Sequence, residues 1–145
     1  MTETNKKKNQ SVVYSFEGRW EEPLRSGAIR VFFRKRRPLK FPNRVFLYVG
    51  VPVKAIIGFA EVESIVEVTL NQSKAIQTEG AITENELVRY IGDHGKVHAI
   101  RIGRPTIFPE RFDLRELKEE YGFNPPQSFS IMNDNLERSI LGEVE

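Results

Sequence analysis

Apolar residues recur at every second position, or run almost unbroken, over most of the chain, and helical spacing is confined to short stretches. Ser11 to Phe16 reads as a first strand, and Arg19 to Ser26 as a short helix or turn leading to Gly27. Successive strand side chains point to opposite faces. The stretch 28–37 therefore predicts a strand that sends Ile29, Val31 and Phe33 into a core, with Arg30, Phe32, Arg34 and Arg36 on the other face. Arg44 to Val49 is nearly continuous in apolar character, as a strand covered on both sides should be. Val53 to Leu70 is a long β-branched stretch broken by Gly58, where a bulge or bend is expected, and Pro42 and Pro52 punctuate the ends.

Thr83-Glu84-Asn85-Glu86 has the form of a capping box opening a helix whose Leu87, Val88 and Ile91 face inward and which Gly92 stops. Val97, Ala99, Ile100 and Ile102 predict another strand, ended by Gly103 and Pro105. A second short helix is expected from Asp113, with Leu114 and Leu117 apolar and Glu116 completing another box. Asn124-Pro125-Pro126 breaks it before Gln127-Ser128-Phe129, and Leu136 to Leu141 suits a terminal helix. There is no internal repeat. Many short strands with few helices between them predict an α+β protein: a twisted sheet curled into a small β-barrel, with short helices at its periphery. The expected organisation is a basic, disordered tail over 1–10, one domain over 11–132, and a C-terminal helix or tail over 133–145.

A chain of 145 residues is long enough to bury a core without disulfides or metals. No apolar run approaches the roughly 20 residues of a membrane span, and no apolar segment follows Lys6, Lys7 and Lys8 to make a secretory signal. Zero cysteines exclude disulfides, thiolate metal sites and cysteine nucleophiles, which fits a reducing interior, and the cytoplasm is expected. The net charge of +2 conceals an asymmetry: residues 1–44 hold 12 Lys and Arg against 4 Glu, whereas residues 45–145 hold 10 against 16 acidic residues. Folded onto one side, the basic half would draw polyanions while the acidic flank repels them.

The chemistry-bearing motifs are few. There is no phosphate-binding Gly-Lys loop, no dinucleotide glycine fingerprint and no nucleophile elbow. His94 and His98 have the spacing of a helical metal pair, but Gly92 and Gly95 make a turn the better setting, so neither metal nor cofactor is expected. Glu61, Glu63 and Glu67 would share one strand face, where neighbouring carboxylates raise one another's pKa, although such a row equally suits the wet side of a sheet. The run Arg34-Lys35-Arg36-Arg37 joined to a strand with an aromatic in its cationic face points instead to binding, because guanidinium groups grip phosphates and rings stack on bases.

Over about residues 12–130 the chain resembles the ASCH family, whose fold is a small β-barrel related to PUA RNA-binding domains. The resemblance rests on Ser15, Trp20, Leu24, Ser26, Gly27 and Arg34, on Leu47-Tyr48 with Pro52 to Val62, and on His98 to Gly103 followed by Pro125 to Phe129. The last segment is closest to archaeal-type members. The family's Gly-x-Lys-x-x-Glu-x-Arg signature is degenerate here: Ile29 stands at the lysine, Phe32 at the acidic position, and Glu17 where a lysine often follows the first strand. Some members resemble amidohydrolases of acetylated cytidine that use that lysine, and others are proposed ribonucleases or RNA binders.

These features together predict a non-catalytic nucleic-acid-binding domain for RNA or single-stranded DNA, with a basic cleft beside strand 28–37. Arg30, Arg34, Arg36, Arg37, Lys40 and Arg44 would contact phosphates. Phe32 would stack on a base, and Ser15, Trp20, Gly27, Lys54 and Gln127 would line the cleft. A hydrolase acting on a modified nucleoside and a protein-interaction module are the alternatives.

Overall fold

A computed structural model describes residues 10–92 and 95–144. Residues 1–9 of the expected tail over 1–10, and His94 of the histidine pair, lie outside the described residues. Seven strands make one sheet: β1 Ser11–Phe16, β2 Val31–Arg34, β3 Arg44–Val49, β4 Ala55–Thr69, β5 Lys96–Ile102, β6 Thr106–Asp113 and β7 Phe129–Ile131. The helices are α1 Glu21–Ser26, α2 Leu70–Ala75, α3 Glu84–Ile91, α4 Leu114–Tyr121 and α5 Asp134–Val144, so the α+β class holds.

The sheet is ordered β2-β5-β4-β3-β1-β7, with β6 added to β4. Its organising element is the 15-residue β4, whose first half pairs with β3 and β6 and whose second half pairs with β5. Only β1 and β3 run parallel, from Ser11 opposite Arg44 to Phe16 opposite Val49. The hydrogen-bonded ladder does not close: β2 and β7 are its two ends. Side chains bridge part of that opening, because the Arg34 Nη2 donates to the Ser15 carbonyl at 2.9 Å and the Tyr14 hydroxyl donates to the Arg36 carbonyl at 3.0 Å.

Gly58 marks the bulge anticipated for it, with register shifts against both β3 and β6. The reason is close approach, since a Cβ there would lie 2.3 Å from the Thr106 carbonyl oxygen. A second shift between Val62 and Ser64 turns the strand over, so that Val62 and Ile65 pack into the same core. That overturns the shared carboxylate face: Glu67, two residues beyond Ile65, lies on the other side of β4 from Glu61 and Glu63.

Three apolar clusters fill the molecule. One lies inside the sheet around Tyr14, Phe16, Leu24, Ile29, Phe32 and Leu47. The second packs Phe46, Tyr48 and Phe108 beneath α4 and α5. The third seats Leu87 and Ile91 of α3 on Val31, Phe33, Val68 and Val97. The Thr83–Glu86 capping box forms as read, but Val88 is 38% exposed because it falls on the outer side of α3. At α4 no box forms; Asp113 instead accepts from the Arg111 Nε at 3.0 Å. Three elements were not anticipated: the short strand β7, which pairs antiparallel with β1, together with β6 and α2. The strand β6 has Pro109 and three charged residues within it, and α2 opens on a second capping box, Thr69 with Gln72.

Candidate nucleic-acid interface

A cavity of about 560 Å³ opens between the end of β1, the turn that follows it, β2 and α3. Its floor is Arg34. The guanidinium carbon sits 4.7 Å from the Phe16 ring centre, 5.1 Å from Tyr14 and 5.3 Å from Phe32. Those rings brace one another edge to face, Phe32 lying 5.2 Å from Tyr14 and 5.0 Å from Phe16. A cation over aromatic faces is attracted by their negative quadrupoles, but rings are not counter-ions. Among the described residues no carboxylate pairs with Arg34. Burial holds its pKa below the ordinary arginine value, opposed by Tyr90, Tyr14 and Glu17. The neighbouring Tyr14 hydroxyl is pushed up to about 12, chiefly by burial, with the Arg34 charge pulling the other way.

Two clusters dress the rim. Glu86 pairs with Arg19, which also reaches Glu17 at 3.2 Å and lies 4.3 Å over the Trp20 ring. The backbone N–H of Thr83 and then the Arg19 guanidinium hold the Glu86 carboxyl down at about 2. On the facing side, the Lys35 N–H donates to the Tyr90 hydroxyl at 3.1 Å, and the Lys35 ammonium lies 5.0 Å from that ring. Gln127 and Ser128 close the end by β1, where the Ser15 N–H donates to the Ser128 carbonyl at 3.0 Å and the Ser15 hydroxyl to the Pro126 carbonyl at 2.7 Å.

Of the residues singled out in the sequence, Ser15, Trp20, Phe32, Arg34, Arg36 and Gln127 line this cavity. The strand 28–37 is shorter than read: only Val31–Arg34 pairs, so Arg30, Arg36 and Arg37 stand outside the ladder. Phe32 is not on a wet face. It is 6% exposed, because β2 is covered on both sides, by the first cluster and by α3 with the third. Arg30 does not line the cavity; its N–H donates to the Glu79 carbonyl and its carbonyl accepts from the Ile102 N–H. Gly27 is the left-handed cap of α1, at φ 82°, with Arg104 as its neighbour. Lys54 lines a separate groove with Arg111, Asp113, Arg115 and Lys118. Arg44 is committed to Glu137 at 2.9 Å. Arg37 and Lys40 are exposed on the loop after β2. Sequence reasoning missed Tyr90 and Arg19, and named Glu17 and Lys35 only as a departure from the signature and as part of the basic run, not as cleft residues; the signal for the α3 wall was that Glu86 and Tyr90, four apart, share a face of α3. His98 lies on β5 with its Nδ1 buried and unpartnered, and no metal-binding cluster occurs among the described residues.

A cationic floor walled by rings, on a single sheet with peripheral helices, defines a small α+β domain with one basic, aromatic-lined cavity. No family model matches the sequence. A relative, the ASCH domain-containing ribonuclease of Zymomonas mobilis, is 32% identical over 136 residues, spanning 91% of this chain and 90% of that protein. The chain therefore belongs to the ASCH domain family. The crystal structure of ASCH from Zymomonas mobilis superposes with a TM-score of 0.85 at 27% identity, covering 94% of this chain and 96% of that one. The N-terminal domain of Staphylothermus marinus McrB shares the fold alone, at a TM-score of 0.64 and 10% identity. No helix among the described residues is long and apolar enough to cross a membrane.

Proposed function

We propose that this chain binds RNA and takes one unpaired nucleotide into the cavity above Arg34. The observation that carries the reading is an aromatic-seated guanidinium that no carboxylate among the described residues answers. Burying a charge without a counter-ion costs several kcal/mol, and the single Ser15 carbonyl leaves most of the guanidinium donors open, so its retention at the floor of an open cavity is best explained by a ligand that supplies the acceptors. A base carbonyl edge or a phosphate does so, and Trp20 and Tyr90 add ring surface for the base. Lys35 and Arg36 at the mouth, with Arg37 and Lys40 beyond, would follow the backbone. The ribonuclease name of the Zymomonas relative supports RNA as the polymer.

That name also favours a second reading, RNA cleavage. The cavity is poorly equipped for it. Tyr14 is too weak an acid, Glu86 is spent on Arg19 and Thr83, and Ile29 and Phe32, at the family's lysine and acid positions, can neither donate nor accept a proton. Fluorescence anisotropy with labelled single-stranded RNA, single-stranded DNA and duplex DNA, with the RNA then run on a denaturing gel, separates the readings. Salt-sensitive binding of intact RNA, lost in Arg34→Met, is the expected result. Shortened RNA, absent with Arg34→Met, would establish cleavage instead; no binding at low salt would sink both.

A further inference from the structure

The loop 35–43 leaves the cavity wall and holds the most exposed large apolar side chain among the described residues, Leu39 at 98%, together with Phe41 at 51%. It also carries Lys35, Arg36, Arg37 and Lys40 and no acidic residue. Isolated exposed leucines are ordinary, but this pair is held out by design of the backbone. The loop is tied down at both ends. The Tyr14 hydroxyl bonds the Arg36 carbonyl, the Lys35 N–H bonds Tyr90, and the Asn43 N–H bonds the Gln10 carbonyl at 2.8 Å. Pro38 and Pro42 are buried at either side of the tip and fix φ there. A tip ordered in advance pays less entropy when it meets a partner.

Because Lys35 and Arg36 line the cavity, Leu39 stands three residues from its wall, at most about 10 Å of chain. That is about three steps of a stacked strand at roughly 3.4 Å each. We propose that Leu39 and Phe41 pack against bases within about three steps of the nucleotide in the cavity, while Arg36, Arg37 and Lys40 hold the phosphates between them. The ligand is then a single-stranded RNA segment and not a free nucleotide. This rests on the preceding assignment of the cavity to RNA. Bases present flat apolar faces beside phosphates, matching the interleaving of apolar and cationic residues; two apolar side chains are a small anchor for a lipid surface.

The test compares wild type, Leu39→Ser/Phe41→Ser and Arg34→Met for binding to the four nucleoside monophosphates, a single-stranded RNA octanucleotide, and phosphatidylserine–phosphatidylcholine vesicles. The changed loop residues are exposed, and an unchanged melting temperature verifies the fold. Wild type should bind the octanucleotide tighter than any monophosphate. The loop variant should lose about tenfold on the octanucleotide, keep its monophosphate affinity and keep its salt dependence. Full octanucleotide affinity in the loop variant, with loss in Arg34→Met, would overturn this inference and leave the cavity reading intact. Binding of neither ligand by wild type would remove both. Vesicle capture lost in the loop variant, with RNA affinity unchanged, would make the loop a membrane contact and overturn it as well.

Discussion

Two arginines, Arg34 and Arg44, sit over aromatic rings of different apolar clusters, and the protein treats them differently. Arg44 lies 5.1 Å from the Phe59 ring centre and is answered by Glu137 of α5 at 2.9 Å, whose same carboxylate oxygen accepts from the Ser11 hydroxyl at 2.7 Å. Arg34 has three rings and a single backbone carbonyl. Where the chain supplies the anion, the charge fastens the last helix onto β1 and β3. Where it does not, an open cavity lies above the charge. The difference teaches that a cationic residue in a basic stretch is informative only once its partner is known.

The largest expected effect breaks the comparison at Arg34. Arg34→Met keeps a long side chain against the rings and removes an unpaired cation, so the melting temperature should hold or rise while RNA affinity falls about 10- to 100-fold, as for loss of charge-assisted hydrogen bonds. Anisotropy and thermal melting read the two together. A collapse in melting temperature at constant affinity would make Arg34 structural, like its counterpart. Arg44→Met should do the reverse. It strands Glu137 and Ser11 in a part-buried site and should cost about 1–3 kcal/mol in chemical unfolding, with RNA affinity nearly unchanged.

That the two arginines differ was not legible in the sequence. Local pattern exposed most of the architecture: β1, β3, the Gly58 bulge and the Thr83 box all follow from residues within a few positions of one another. Arg34 and Arg44 belong to one basic run, and only the fold brings Glu137, 93 residues away, to the second. Phe32 failed for a related reason. Period-two alternation assumes one dry and one wet face, and β2 is covered on both. The strand β6 was hidden because Pro109, Glu110 and Arg111 weaken its β signal, while pairing with β4 supplies what propensity lacks. The cavity wall contributed by α3 was legible only as helix spacing, since nothing local says which face meets β2.

Tyr14 sharpens the comparison by reporting the Arg34 charge. Its folded value is about 12 against an ordinary 10.0, so the folded state keeps a proton that the unfolded chain releases as pH rises above 10. Stability is therefore complete below pH 10 and falls above it by about 1.4 kcal/mol per pH unit, or roughly 2 kcal/mol by pH 11.5. Tyr14→Phe should flatten that limb in urea unfolding. In Arg34→Met the cation that favours the phenolate is gone, so Tyr14 ionisation, followed by ultraviolet absorbance, should move still higher. An unchanged titration would mean the Arg34 charge does not reach the ring.

The smallest effect belongs to a third arginine, Arg19, which is paired like Arg44 but exposed at the rim of the Arg34 cavity. Glu86 is depressed from an ordinary 4.5 to about 2, so what it contributes is present above pH 4.5 and lost as pH falls toward 2. Glu86→Gln separates its two partners, because glutamine at that position still satisfies a capping box while the ion pair to Arg19 disappears. Acid melting curves of the variant should be slightly flatter than wild type over that window, and the gap should close in high salt, since exposed pairs are screened. RNA affinity should scarcely move if Arg19 merely borders the cavity. A marked gain on releasing Arg19 from Glu86 would instead place a second cation in the ligand's path, and pairing, rather than position alone, would then decide which arginines of this chain meet RNA.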